Sequence, residues 1–387
     1  MKLLHTSDWH VGKILKGRDR LAEQRDVLAE IVTIAKQHQV DAVLVAGDLY
    51  ETAAPSAEAQ KLVVSTLRKL ARAGIEVIAI AGNHDHAGTF EAYRAVMRDA
   101  GIHLYGAFRP AGNGGVHRFT ARSTGEQAVV AILPFLSQRY AVRAAEIVEN
   151  TPAQNVGSYD QMVRDILANL TAEFSDNTVN LVLAHLTCTG GALGGGERAA
   201  QSIFEYHVPA SVFPVEAHYV ALGHLHRRQS LPAACPVHYS GAPLAVDFGE
   251  QDNTNVVCLV EVTPTTPAQV TDIPIRSGQR LRTVTGTVEQ LLTKAIEFGD
   301  DYLRVWVNEP TRAGLRDQIA DALPNALEIR IHPDFATATS GRKVTIDHAT
   351  RTPGQLFADY CAAEDVADAR VATLFGQLHD QVTHPSI

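Results

Sequence analysis

Five apolar runs far apart in this chain each end in Asp, Asn or His, and that recurrence limits the fold more than any other feature. Leu3-Leu4-His5-Thr6-Ser7 runs into Asp8-Trp9-His10, and Ala42-Val43-Leu44-Val45-Ala46 into Gly47-Asp48. Ile75-Glu76-Val77-Ile78-Ala79-Ile80 opens onto Ala81-Gly82-Asn83-His84-Asp85-His86. Val179-Asn180-Leu181-Val182-Leu183-Ala184 delivers His185, and Tyr219-Val220-Ala221-Leu222-Gly223 delivers His224 and His226. Short apolar runs bounded by turn residues read as buried strands. Ligand sites in open α/β sheets lie beyond the carboxyl ends of the strands, so these five ends can converge. Taken singly, Asn-His-Asp is a turn signal, and a histidine is a hydrogen-bonded core or surface residue. Seven such residues at strand ends together require another account.

Their chemistry supplies one. Neutral imidazole, carboxylate and amide oxygen suit a borderline or hard divalent ion such as Mn, Fe or Zn, and no thiolate is among them. Asp8, His10, Asp48, Asn83, His185, His224 and His226 exceed the needs of one ion, and serve two if Asp48 bridges them. A pair of ions ~3.5–4 Å apart is a recurrent device for displacement at phosphate esters.

Asp8-x-His10, Gly47-Asp48, Gly82-Asn83-His84-Asp85, His185 and Gly223-His224-Leu225-His226 resemble, in order and identity, the calcineurin-like metallophosphoesterase pattern. Thr6-Ser7-Asp8-Trp9-His10-Val11-Gly12-Lys13 and Gly47-Asp48-Leu49-Tyr50-Glu51 narrow the resemblance to the SbcD-type nuclease subunits, bacterial relatives of the double-strand-break repair nucleases. It covers the first ~250 residues firmly and the rest by layout. The resemblance implies an α/β fold, a β-sandwich flanked by helices, with a small α/β capping domain and a C-terminal helical tail. The corresponding boundaries are residues 1–265 for the nuclease domain, 275–335 for the DNA-capping domain, 336–352 for a linker and 353–383 for a partner-binding tail.

By the family pattern, Asp8, His10, Asp48 and His226 hold one ion, and Asp48, Asn83, His185 and His224 the other. Mn comes first among the ions implied, with Mg, Fe and Zn as alternatives. His84 is not a ligand in this scheme and stands ready to stabilise or protonate the leaving 3′ oxygen, with Asp85 orienting its imidazole. The implied activity is 3′–5′ exonuclease on double-stranded DNA and endonuclease on single strands or hairpins, in repair, recombination and replication. The implied partners are DNA, a coiled-coil ATPase of the SbcC type, and a second copy joined through helices near Pro55–Arg72 and Thr89–Ala100. With the ATPase they make a heterotetramer. Two rivals stand beside this reading: a phosphomonoesterase or cyclic-nucleotide phosphodiesterase with the same site, and a binding scaffold that has kept the fold. Gly47-Asp48 continues into Leu49-Tyr50-Glu51 rather than the Asp-Arg-Gly of protein phosphatases, and none of the seven ligands is lost.

The remaining sequence fills in the frame. Leu21, Leu28, Ile31, Val32 and Ala35 predict a helix over Asp19–Gln37, and Pro55-Ser56 opens another that Gly74 closes. Thr89–Ala100 and Tyr159–Phe174 read as further helices. A β-α-β-α-β rhythm of this kind marks parallel strands with crossover helices. Pro264-Thr265-Thr266-Pro267 reads as an exposed turn. Beyond it, Leu281–Gly286, Val288–Phe298, Tyr302–Val307, Thr311–Leu323 and Ala326–Ile331 alternate strand and helix, with no ligand cluster of their own. Gly190–Gly196 matches neither GxGxxG nor a P-loop and is expected to be a mobile loop. No Gly-Lys-Ser/Thr occurs in the chain, so an ATP-driven step needs a second protein. The tail carries Leu356, Phe357, Tyr360, Leu374, Phe375 and Leu378, which either fold back on their own domain or dock on a partner.

A net charge of −9 argues against a generally basic coat for nucleic acid. Local blocks remain: Lys13, Lys16, Arg18 and Arg20 beside the first motif, and Arg227 and Arg228 beside the last. They are candidate phosphate contacts or simply solvated surface. The four cysteines are scattered, with no CxxC pair, as expected of a reducing cytoplasm and a nucleoid-associated enzyme. No apolar stretch reaches membrane-span length, and no signal-peptide pattern opens the chain.

Overall fold

The computed structural model describes residues 1–136, 159–197 and 207–335, together with ten helical positions between Phe357 and Phe375. The chain forms two compact units, Met1–Phe335 and Ala336–Ile387. The linker expected at 336–352 and most of the expected tail lie outside the described residues.

Two six-stranded sheets face each other in the first unit. The first runs Thr266–Pro274, Val256–Thr263, Lys2–Thr6, Ala42–Val45, Glu76–Ile80, Ile102–Tyr105. Its last four strands are parallel. The second runs Gln229–Leu231, Val237–Tyr239, Tyr219–Gly223, Thr178–His185, Gln127–Leu133, Val116–Thr120. Its middle four are parallel.

The unbroken apolar runs are explained by burial on both faces. Successive side chains of a strand point to opposite sides, and here each side has its own core. Leu44, Ile78, Ile80, Val130, Leu181 and Leu183 meet between the sheets. Their neighbours Val43, Val45, Val77 and Ala79 face the helices Leu21–Gln37 and Ala57–Arg72 outside the first sheet. Val182 and Ala184 face the helix Tyr159–Thr171 outside the second. The four helices expected in the sandwich form, while the one expected over Val288–Phe298 is two, Val288–Thr293 and Ala295–Phe298. Ser56 caps Ala57–Arg72 by accepting the Ala59 N–H at 3.2 Å, and Gly74, at φ 76°, ends that segment.

One strand was not expected. After the turn at Pro264-Thr265, Thr266–Pro274 pairs antiparallel with Val256–Thr263 and carries the first sheet past residue 265. It is an edge strand whose side chains are largely exposed, so it lacks the apolar signature of the others.

Leu281–Gly286, Tyr302–Val307 and Ala326–Ile331 form a separate parallel three-stranded sheet. Val288, Leu291, Ile319 and Leu323 from its helices pack with Val305 and Val307 in a core of its own. A second cluster of Leu15, Ala245, Phe248, Leu281 and Tyr302 joins this sheet to the sandwich. In the second unit, the Phe357 and Phe375 rings stack at 4.0 Å, with Tyr360 6.3 Å from Phe357.

Candidate metal centre

The turns that follow the strands are held to each other before any side chain reaches a ligand. Asp8 N–H donates to the Gly47 carbonyl at 3.0 Å and His10 N–H to the Asp48 carbonyl at 3.0 Å, so the first two turns continue the parallel pairing of their strands. The Asp85 carboxylate accepts the N–H groups of Gly82 at 2.9 Å, Tyr50 at 3.0 Å and Leu49 at 3.2 Å, which ties the third turn to the second. Asp8 accepts the His224 N–H at 3.0 Å and the Ser7 hydroxyl at 2.6 Å, which brings in the last turn. Close approach needs glycine at two points: a Cβ on Gly82 would collide with the Asp48 carboxylate, and one on Gly47 with the His185 ring. Asp8, His10, Asp48 and His224 have left-handed backbones, with φ of 53°, 45°, 51° and 103°.

All seven expected ligands converge in the resulting hollow. Asp8, His10 and His226 make one set of donor atoms within 4.8 Å of one another, and Asp48, His185 and His224 another. Asp48 stands between the sets, with Oδ2 3.8 Å from His10 Nε2 and 3.6 Å from His185 Nε2. The Asn83 amide oxygen lies 2.8 Å from both His185 Nε2 and His224 Nδ1. Phe135 closes this side, its ring stacked on His224 at 6.4 Å.

Three of the four imidazoles are turned by a partner on the far nitrogen, as metal-binding histidines require. His185 Nδ1–H donates to the Ala46 carbonyl at 2.7 Å, His10 Nδ1–H to Glu51 at 3.0 Å, and His226 Nδ1–H to Glu250 at 2.5 Å. Glu250 also accepts the Val246 N–H at 2.8 Å, which fixes it in turn. Glu51 stood in the Gly47–Glu51 motif without a role, and nothing in the sequence pointed to Glu250 or Phe135 as parts of the site.

Charge in the hollow is arranged for cations. Burial holds His10 and His185 neutral, each down at about 3, and puts His224 well below the ordinary imidazole range, with the His185 ring adding to it. Burial, then the neighbouring Asp85 and Asp8, push Asp48 well above the usual carboxylate range. Burial likewise raises Asp8 to about 6. His226 is the exception: burial opposes its charge, yet the Glu250 hydrogen bond and the carboxylates around it bring it up to about 10. His10 Nε2 and His226 Nε2 face each other at 3.0 Å. Two ring nitrogens that close, both backed by carboxylates, need positive charge between them. A divalent ion stabilises neutral imidazole and ionised carboxylate alike, so the donor set fits the ions that the sequence implied.

Two expectations about the surroundings are corrected. Asp85 does not orient the His84 ring, because its carboxylate is given to three backbone N–H groups. The Glu51 carbonyl does so instead, accepting His84 Nδ1–H at 2.7 Å, while the His84 N–H donates to Asp48 at 2.8 Å. The His84 ring stands edge-on to His10 at 4.6 Å, inside the hollow. The glycine loop is not loose along Gly191–Gly196. Glu197 accepts the N–H groups of Gly194, Gly195 and His226 at 2.6, 2.8 and 2.9 Å and pins the loop against the site.

The basic candidates divide. Arg228 is engaged within the chain, bound to Asp272 at 2.7 Å and to the Gln229 and Tyr239 carbonyls. Arg20 is buried between Glu23 and the carbonyls of Ala245 and Gln279. Lys13 is paired with Glu51 at 3.0 Å. Lys16 lies 3.7 Å from Glu328, and the Arg18 guanidinium lies 5.7 Å from the Tyr302 ring centre, so both sit at the small sheet. Arg227 is exposed beside His226.

Among the described residues no helix is long and apolar enough to cross a membrane. Residues 1–228 match the family model for calcineurin-like phosphoesterases, and residues 277–365 match that of the type 5 capsule protein repressor C-terminal domain. The chain is similar to the SbcD component of the nuclease SbcCD from Bacillus subtilis, with 36% identity over 73% of this chain and 71% of that protein. The protein of the same name in Rhodobacter capsulatus is 38% identical over 68% of this chain and 66% of its own length. That of Escherichia coli K12 is 27% identical over 78% and 74%.

Proposed function

The chain belongs to the calcineurin-like phosphoesterase family, and from that premise we propose that it is the metal-dependent nuclease component of an SbcCD-type complex, hydrolysing phosphodiesters of DNA. The observation that carries this reading is Asp48 Oδ2, set between His10 Nε2 and His185 Nε2 at 3.8 and 3.6 Å with a full donor set on either side. We assign Asp8, His10, Asp48 and His226 to one divalent ion and Asp48, Asn83, His185 and His224 to a second, with Mn2+ the first choice for both. Such ions supply a nucleophile from water at neutral pH and neutralise charge on the phosphoryl group.

The chain's own residues do the rest. Asp85 and Asp8 hold the four turns in one arrangement, so the donors need no rearrangement when substrate arrives. The carbonyl of Glu51 keeps the His84 proton on Nδ1 and turns Nε2 away from it. In that orientation His84 serves the leaving oxygen as an imidazolium, with a second proton on Nε2 that is donated in a hydrogen bond or transferred, leaving the neutral ring with its proton on Nδ1. Polarity is assigned as 3′–5′ on duplex ends, with endonuclease action on single strands and hairpins.

An exposed surface supports a reading of the assembly. A largely apolar groove of about 610 Å³ lies between the helices Ala57–Arg72 and Ala87–Asp99, lined by Val63, Val64, Leu67, Phe90, Tyr93 and Met97. Tyr93 and Val96 are 49% and 69% exposed there, which supports a homodimer through these helices. Residues 275–335 are assigned as the DNA cap and 353–383 as the docking segment for a coiled-coil ATPase, since this chain has no phosphate-binding loop. The test is incubation of the purified chain with Mn2+ and end-labelled duplex DNA. Cleavage without ATP is expected. Rapid hydrolysis of para-nitrophenyl phosphate with DNA left intact would favour the phosphomonoesterase reading instead.

A further inference from the structure

We propose that Glu76, His103 and His117 form a separate site for a transition-metal dication of the zinc type, at the opposite end of the sandwich. Glu76 begins the strand whose other end leads to Asn83, so at ~3.3 Å per residue roughly 13 Å of strand alone lies between Glu76 and Ile80. The three residues come from three strands. Glu76 and His103 stand on adjacent parallel strands of the first sheet, and His117 on the edge strand of the second.

Both imidazoles aim the same atom at the same target. His103 Nε2 and His117 Nε2 each lie 2.8 Å from Glu76 Oε1, and the ring centres are 4.3 Å apart. All three donor atoms fall within 4.8 Å of one another. Around a tetrahedral ion with bonds of about 2.0 Å to nitrogen, donors stand roughly 3.3 Å apart. The two contacts to Glu76 therefore need to lengthen by only about half an ångström to admit one. His117 is further braced by Tyr105, whose hydroxyl lies 2.9 Å from Nδ1, the outer contact that fixes a ligating imidazole. Arg94, whose charge is felt by His117, sits over the Tyr105 ring at 4.7 Å, and Glu91 at 3.7 Å offsets it.

Two histidines and one carboxylate with open positions favour Zn2+, Ni2+ or Cu2+ over Mn2+. Glu76 is 28% and His103 20% exposed against 8% for His117, so the ion enters from solvent and keeps water on its outer side. Bound there, it links the edge of one sheet to the edge of the other. The helix Ala87–Asp99 lies in the chain between two of the three ligands. Because its ligands come from both sheets, the ion clamps the sandwich at this end.

The test counts zinc on the full chain with Mn2+ in excess, comparing the wild type with Glu76→Gln and His103→Asn. Neither residue belongs to the centre described above, so failure of one assignment leaves the other intact. The wild type should hold one Zn2+ per chain more than either variant, and Zn2+ should raise its Tm more than theirs. Mn2+-dependent cleavage should stay within about twofold in both variants. Equal zinc counts would overturn the site and leave a hydrogen-bonded trio. If the variants do not fold, anomalous scattering at the zinc edge from wild-type crystals decides. A peak among the three residues supports the proposal, and none at that position overturns it.

Discussion

Lys2–Ile80 and Leu281–Ile331 are built on one plan: three parallel strands joined by two helical crossovers. In the first, the strands end in Asp8, Asp48 and Asn83 on turns that bond to one another. In the second they end in the helix cap Thr287, in Asn308 and in His332, and among the described residues no trio of metal-type donors forms there. Parallel strands bring their ends together in both cases. Chemistry appears only where the turns also carry donors, the far nitrogens of His10, His185 and His226 find carboxylate or carbonyl oxygens, and a second sheet adds His185, His224 and His226 from across the sandwich.

The largest effect should come from the residue shared by both donor sets. Asp48→Asn is expected to abolish Mn2+-dependent cleavage and to lower metal content at both positions, measured by elemental analysis beside turnover. One ion per chain in the loaded wild type would show that the centre is not binuclear. Next comes His84→Ala, expected to slow cleavage by ~10²–10⁴-fold while metal content and DNA affinity hold. Loss of metal on this change would make His84 a ligand. Glu250→Gln should weaken metal binding by ~10–100-fold, because His226 loses the carboxylate that orients it. An unchanged affinity in a metal titration would show that Glu250 only supports Val246.

Acidity separates the two regions in another way. Burial holds His5 neutral down to about 3 in the folded chain, against an ordinary value near 6.5. Between those values the unfolded chain takes up a proton that the folded chain refuses, so stability rises with pH across the window. The His5 contribution should be complete above about 6.5 and fall progressively as the pH drops toward 3; His10 and His185 add to it, while the raised carboxyls of Asp8, Asp48 and Asp85 oppose it across the lower part of the window. Thermal melts across that range should show the slope, and His5→Phe should flatten it. The smallest effect belongs to the small sheet. Thr287 and Gln290 form a reciprocal cap on the helix Val288–Thr293. Thr287→Ala should cost about 1 kcal/mol with turnover unchanged, and a fall in kcat would tie that sheet to the chemistry.

Much of this was legible in the residue order. Strands buried on both faces announce themselves as unbroken apolar runs, and Ser56 and Gly74 mark helix ends through local bonds. The seven donors were legible because each sits directly after such a run. What escaped depended on distant partners. Glu250 reaches His226 only because the chain between them folds through Val237–Tyr239 and back, and no spacing rule encodes that return. Asp85 looked like a neighbour of His84, but its carboxylate turns toward three N–H groups of two turns. Thr266–Pro274 escaped for the opposite reason: an exposed edge strand needs no apolar residues to pair.

The left-handed backbone at Asp8, His10, Asp48 and His224 has a consequence for how such a chain changes over time. Non-glycine residues held there cost of order 1–3 kcal/mol each, and glycine would relieve that cost at every one of the four. Glycine would also remove a donor each time. A population screened only for heat resistance is therefore drawn toward losing the centre at these positions, while one screened for turnover must keep residues that loosen the fold. Metal binding reconciles the two, since an ion held by the strained residues returns stability in proportion to the logarithm of its concentration over its Kd. The resistance of this protein to heat should then depend on metal supply more steeply than its ordinary core would suggest.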